Sequence, residues 1–566
     1  MTTKTFRSAS SQKGLFDAPR KAGAPPRGRA NAASEPASGP ARKPRAPRAR
    51  KKEDANSMAA RQRDISVSEF FTKNRHLLGF DNPQKALLTT IKEAVDNSLD
   101  ACEEAGILPE IRVEIVESGE NRYRISVQDN GPGIVRKQIP KIFGKLLYGS
   151  KFHRMKQQRG QQGIGISAAG MYAQLTTGQP VEIVSRTGKK QPAHRFRITL
   201  DTQKNQPVIQ KDETVEWDAD HGTRVTMEME AVYKKGRRSV DGYVAQTALA
   251  NPHATLHYEA PKSEPLTYER VTDDLPRESR EIQPHPYGVE LGRLIQIMKD
   301  SPNRTVKGVL TTEFSRVSSN VAEQICDAAG VRPEASPRRL STAQVELLFR
   351  AIPTVKIMAP PTACLSPIGE ELLDRGLHAR IEAEFYTTVT RPPAVYRGNP
   401  FQIEVGLAWG GRLESEELID LYRFANRVPL QYQQSACAVT KSVVATDWKK
   451  YGLQQSRGAM PSGPVVLMVH IASVWVPFTS ESKEAVASYP EIVKEIRLAL
   501  MEGGRRLGSF VRARKRAAEA ARKKKYIEKY IPHIGDALRD ILGQTQKKRD
   551  DTVATLEDIL ERSRKM

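Results

Sequence analysis

QKALLTTIKEAVDNSLDACEEAG, residues 84–106, decides how this chain is read. At about 100° per residue Leu88, Ile91, Val95, Leu99 and Cys102 fall on one apolar stripe, and Glu93, Asn97 and Asp100 share the opposite face. One face is suited to pack on a sheet, and the other presents a carboxylate four residues before a carboxamide. Such a pair can activate a water while the amide oxygen helps hold a magnesium ion between phosphates. Taken alone the pattern is more simply a solvated polar face, so its meaning rests on the rest of the chain.

Tyr123, Ile125 and Val127 alternate as a half-buried strand requires, and the strand runs into DNGPGI at 129–134. Asp129 can accept from the exocyclic amine of adenine, while Gly131 and Gly133 let the backbone approach a flat ring. RGQQGIGIS at 159–167, after YGSKFH at 148–153, is a glycine-rich loop entering a helix. Its free N–H groups and positive dipole end suit phosphates. The candidates there are Ser150, Lys151, Gly160, Gln161, Gln162, Gly163, Ile164, Gly165, Ile166 and Ser167. Thr223 in HGTRVTMEM places a hydroxyl at a strand start, able to bind adenine through water. No GxxxxGK[ST] loop occurs, which excludes ordinary P-loop chemistry.

In order and spacing these four elements resemble the GHKL superfamily across about 61–265. The resemblance implies water activation by Glu93, magnesium held through Asn97, adenine recognition by Asp129 and a closing lid from Gly160 to Ser167. Because that superfamily spans kinases, chaperones, repair clamps and topoisomerases, downstream sequence must choose among them. EAVDNSLDACEEAGILP, IFGKLLYGSKFH, PHPYGVELG, LTTEFSRVSSNVAEQI, CLSPIGEELL, FANRVPLQYQQSACAVT and DWKKYGL resemble the B subunit of topoisomerase VI, the ATPase half of type IIB topoisomerases, in unbroken order over about 61–500.

That family likeness implies an α+β multidomain chain: a GHKL (Bergerat) ATPase sandwich at 61–283, a helix-two-turn-helix domain at 284–355, a ribosomal-S5-like transducer at 356–488 and a helical stalk at 489–566 that binds the A subunit of topoisomerase VI. It also implies ATP and Mg2+ as cofactors, ATP-dependent self-dimerisation, an A2B2 heterotetramer on double-stranded DNA, and strand cleavage by a tyrosine of the other polypeptide. Lys449 is the expected transducer contact to the γ-phosphate, with Lys450 beside it as the rival. Trp448 and Lys450 are alternatively a packed strand end or DNA contacts. YKKGRR at 233–238 adds Lys234, Lys235, Arg237 and Arg238 as candidate phosphate-backbone contacts. A mismatch-repair-type ATPase clamp shares pocket and transducer, but the helical insert and the run from FANRVPL to DWKKYGL argue against it. A non-hydrolysing scaffold of a meiotic double-strand-break complex is disfavoured by the complete ATP motifs.

The bulk properties agree. The 566 residues are too many for one core, and a formal net charge of +23 fits a polyanionic partner. Residues 1–60 hold 14 Lys/Arg against 4 Asp/Glu and almost no large apolar residue, a composition expected to stay disordered as a basic arm. Cys102, Cys326, Cys364 and Cys437 are too scattered for a zinc site or disulfide framework, which points to a reducing interior. No apolar run reaches the roughly 20 residues of a membrane span, so an intracellular protein is expected, at the nucleoid in a prokaryote or the nucleus in a eukaryote. His253 and His257 share the i,i+4 spacing of a metal pair but lack a third ligand and are read as structural. Asp218 and Asp220 are read as a turn.

Overall fold

The structure is a computed structural model and describes residues 55–59, 62, 65–149, 154–160, 163–480 and 482–562. Residues 1–64 and 65–566 are separate units, and the described residues of the first include the short helix Ala55–Ala59. The basic arm lies otherwise outside the described residues.

Unit two begins with an eight-stranded sheet: β1 Glu110–Gly119, β2 Arg122–Asp129, β3 Val181–Arg186, β4 Ala193–Asp201, β5 Gln206–Val215, β6 Gly222–Glu230, β7 Thr255–Glu259 and β8 Leu266–Tyr268. Their order is β5-β4-β3-β6-β2-β1-β7-β8, antiparallel except for the β1/β7 pair. The helix Pro83–Glu104 starts where Asn82 caps the Lys85 amide and Pro83 occupies the first turn, a position that needs no amide donor. Its stripe of Leu88, Ile91, Val95, Leu99 and Cys102 is buried, and it packs on β1, β2 and β6 with the helices Gly165–Thr177 and Val240–Ala250 in one core.

Between 291 and 351 four helices, Leu291–Asp300, Val306–Glu313, Ser319–Ala329 and Thr342–Ala351, enclose a core of their own around Leu294, Leu310, Ile325 and Leu348. The last starts with a capping box in which Ser341 and Gln344 satisfy each other's amides. A second sheet follows, with β9 Phe385–Thr390, β10 Ala394–Tyr396, β11 Asn399–Trp409, β12 Asp420–Ala425, β13 Val428–Pro429 and β14 Val465–Ser473. In β14 every residue is buried, because β11 and β12 flank it and helices cover the sheet. The charged C-terminal segment, expected as a helical stalk over 489–566, opens with a single 53-residue helix, Pro490–Leu542, with Pro532 inside it. Gly504 and Gly508 let this helix sit directly on Tyr451, where an added methyl at Gly504 would enter the ring. All four cysteines are free and buried. Among the described residues no helix is long and apolar enough to cross a membrane.

Candidate nucleotide site

A cavity of about 630 Å³ opens between the Pro83–Glu104 helix, the end of β2, the start of β6 and the Gly165–Thr177 helix. That volume lies within the usual range for small-molecule sites, ~300–1,000 Å³. Register explains one end of it. β2 and β6 pair Asp129 with Thr223, so the Thr223 amide donates to Asp129 Oδ1 at 3.1 Å. The Gly131 amide donates to the same oxygen at 2.9 Å, and Ser98 Oγ donates to Oδ2 at 2.9 Å. Burial pushes the Asp129 carboxyl above the ordinary carboxylate range, and the three donors oppose that shift. Gly133, at φ 70°, is obligatory: a side chain there would strike the Arg186 carbonyl.

Glu93 and Asn97 line the other end, one helical turn apart. Gly160, Gly163, Ile164, Gly165 and Ile166 face them. The Gly165–Thr177 helix begins at Ile164, which has no side-chain cap, so its first amides point toward the cavity as a phosphate seat does. A methyl added at Gly165 would overlap the Glu93 carboxylate. Gly165 keeps ordinary helical φ, so the collision is met by Glu93 moving rather than by backbone strain. Gly165→Ala is therefore expected to keep the unfolding temperature while cutting ATP turnover about 10- to 100-fold, since about 1 Å of misplacement is that costly. Turnover and thermal melting of one preparation check both halves.

Other candidates stand elsewhere. Ser167 is buried with its hydroxyl donated to the Ile164 carbonyl, and it does not line the cavity. Ser150, Lys151, Gln161 and Gln162 lie outside the described residues. Asp100 is no part of the polar face. It is buried against Arg159, 2.8 Å away, because Arg159 also needs Glu103 at 2.6 Å to offset the loss of water around its charge. His253 Nε2 lies 2.7 Å from Glu103 as a buried partner, and His257 is on strand β7, so the two share no helical face. Asp218 and Asp220 sit in the bends between β5 and β6.

The transducer expectation needs correction. Lys449 is exposed on the short turn Trp448–Tyr451 and is not among the cavity's lining residues. Lys483 is. It sits at φ 53° in the loop after β14, and its neighbour Glu484 holds that loop to the helix through Lys85 at 2.7 Å. Gln431 and Tyr432 complete the lining from the same side. Sequence shows Lys483 only as one lysine in a Ser/Glu turn; the ion pair that aims it spans 399 residues, from Lys85 to Glu484. Trp448 is fully buried, with its indole N–H donating to the Val443 carbonyl at 2.8 Å, and offers no surface to DNA. Lys450 is exposed and 3.3 Å from Asp447. In the 233–238 loop Lys234, Lys235, Arg237 and Arg238 are all exposed, and Arg237 also lies 2.5 Å from Asp420.

Asp96, beside Glu93 on the helix, is buried and accepts from Tyr243 Oη at 3.3 Å. Burial pushes its carboxyl up to about 7 from the ordinary 3.8. The unfolded chain ionises it first, so stability falls as pH rises between those two values and stays lowered above them. Asp96→Asn is expected to raise stability by a few kcal/mol above pH 7 and to change it little near pH 4, which denaturant titration at both pH values reads out.

The chain matches the family model described as "Histidine kinase-, DNA gyrase B-, and HSP90-like ATPase" over residues 82–230, and "Topoisomerase VI B subunit, transducer" over 360–524. The second match extends into the long helix. The B subunit of type 2 DNA topoisomerase 6 from Methanococcoides burtonii is 50% identical over 489 residues, covering 86% of this chain and 79% of that one. Its counterpart in Archaeoglobus fulgidus is 45% identical over 500 residues, covering 88% and 83%, and that of Pyrococcus furiosus 38% over 535 residues, covering 85% and 92%. With a GHKL pocket on the first sheet and a transducer on the second, the chain belongs to the B subunit family of type 2 DNA topoisomerase 6.

Proposed function

We propose that Glu93, Asn97, Asp129, Thr223, the Gly160–Ile166 loop and Lys483 hold one ATP, and that Glu93 is the base that activates the attacking water. The chain is the ATP-binding and ATP-hydrolysing subunit of a type IIB DNA topoisomerase, and cleavage belongs to a separate polypeptide, the A subunit. The observation that carries the site assignment is the single cavity shared by Asp129, Glu93, Asn97 and the glycine loop. Asp129, pinned by three donors, offers a fixed acceptor to an amino-purine edge. Glu93 lies where the uncapped helix would place the terminal phosphate.

Magnesium fits this donor set. Asn97 presents an exposed carboxamide to the cavity, and among the described residues no trio of His, Cys, Asp or Glu forms a metal cage. Magnesium that keeps its waters and the nucleotide's phosphate oxygens needs only that one protein ligand, and it would neutralise charge on the phosphates. Lys483 adds a mobile point charge from the transducer, in the role expected of Lys449.

The rest of the reading is mechanical. Ordering of the loop pairs two copies of residues 61–283, the helical domain at 284–355 and the transducer at 356–488 close around a DNA segment, and the stalk at 489–566 joins the cleaving polypeptide in an A2B2 assembly at the nucleoid. Exposed Tyr526, Ile527, Tyr530, Ile541 and Leu542 on the stalk supply an apolar surface for that partner. Lys234, Lys235, Arg238 and Lys450 supply sequence-independent phosphate contacts, weakened by salt. Co-purification with the cleaving polypeptide should give relaxation of supercoiled DNA only with ATP. A complex that relaxes DNA equally well without nucleotide refutes the scheme.

A further inference from the structure

The root of the glycine loop is gripped by the transducer as well as by its own sheet. Gln157 donates through Nε2 to the Ser366 carbonyl at 2.9 Å and accepts from the Ser366 amide at 2.7 Å. Its backbone amide donates to the Cys364 carbonyl at 3.0 Å. The next carbonyl, of Gln158, accepts from Asn426 Nδ2 at 2.9 Å. Arg159 then binds Asp100, Glu103 and Asn251 in the first domain, and Glu103 Oε1 lies 3.8 Å from Arg427 of the transducer. Gly160, lining the nucleotide cavity, follows immediately.

The transducer side is a two-residue turn. β12 and β13 pair Ala425 with Val428, and Asn426 and Arg427 between them stand at φ 49° and 66°. A hairpin tip with two left-handed residues usually carries glycine, so an arginine there must be held by its surroundings. It is held closely. The Arg427 amide donates to His470 Nε2 at 3.0 Å, and its guanidinium donates to Ser366 Oγ at 3.0 Å and the Pro367 carbonyl at 3.1 Å. His470 Nδ1 in turn lies 2.7 Å from Glu404, whose carboxylate accepts the Ile368 and Gly369 amides. Asn426 is locked as well, through reciprocal bonds with Ser473. Gln157, Gln158, Arg159, Ser366, Asn426, Arg427, His470 and Glu404 are all buried. Buried polar chains of this kind move as units, because each broken bond strands a group away from water.

We propose that Gln157–Arg159 is a strut between the phosphate loop and the transducer, gripped by Ser366 and the Asn426–Arg427 turn, which carries loop ordering into the transducer independently of Lys483. This rests on the reading that a nucleotide occupies the cavity. Gln157 and Asn426 are positioning residues, since neither lines that cavity.

The test is backbone hydrogen exchange on the full chain with and without a non-hydrolysable ATP analogue. In the parent chain the analogue should slow exchange at 163–170 and also at 364–369 and 424–430. In Gln157→Ala the slowing at 163–170 should persist within about twofold while that at 364–369 and 424–430 drops at least about fivefold. Asn426→Gly suits the same left-handed turn and deletes the donor to Gln158 without burying a charge, so it should give the same split if Gln157→Ala folds poorly. A merely structural role raises exchange equally with and without analogue and leaves the difference intact, which overturns the strut. Parent chain protected at 163–170 but unchanged at 364–369 and 424–430 overturns the strut alone. No protection at 163–170 in the parent chain removes the nucleotide reading and the strut with it.

Discussion

The Glu93→Ala chain is expected to bind ATP within a few-fold of the parent and to hydrolyse it about 10²- to 10⁴-fold more slowly, the usual worth of a positioned general base. The separation follows from where the side chain sits. Glu93 lies at the loop end of the cavity, against Gly165, while Asp129, the proposed acceptor for the base, lies at the other end. Removing Glu93 leaves that acceptor and the uncapped helix in place, so affinity survives. The variant should also accumulate the nucleotide-bound dimer, as closure no longer ends in hydrolysis. Calorimetric titration with ATP and single-turnover hydrolysis measure the two halves. Normal turnover would remove Glu93 from the chemistry.

Asp129→Ala should fail in the opposite way, losing nucleotide affinity by about 10²-fold or more while leaving Glu93 in place. Three donors converge on this carboxylate, from Gly131, Thr223 and Ser98. Truncation loses the contact to the base and also strands those donors in a buried pocket, each costing about 1–3 kcal/mol. Part of the loss therefore appears as lower stability without ligand, and part as weaker binding. Melting with and without saturating ATP separates them: the parent chain gains a ligand-dependent shift that the variant should lack. An unchanged shift would place the adenine elsewhere.

Much of this is legible in the sequence because its signals are local. The stripe from Leu88 to Cys102, the strand ending in Asp129 and the glycine loop each fall within a few turns of chain, and periodicity reads them directly. What sequence misplaces depends on distant partners. Trp448 stands between Asp447 and two lysines and reads equally as a packed strand end or a DNA contact, and only the short turn that directs it into the transducer core decides for packing. Arg237 reads as a free cation, but Asp420 meets it from 183 residues away. Asp100 reads as part of the catalytic face until Arg159 arrives from the loop. Lys483 has no local distinction whatever, and the Glu484–Lys85 pair that ties its loop to the helix joins residues far apart in sequence.

Fifty-three uninterrupted helical residues amount to a rod of about 80 Å at ~1.5 Å per residue. The rod is clamped about a third of the way along, where Gly504 and Gly508 meet Tyr451 in the turn that follows Trp448. The arm beyond the clamp, from Gly508 to Leu542, is about 50 Å long and multiplies small angles: a tilt of about 5° at the clamp sweeps the far end through roughly 4–5 Å. An adjustment too slight to repack the sheet beneath it therefore becomes a displacement comparable to the width of a side chain or more at the far tip.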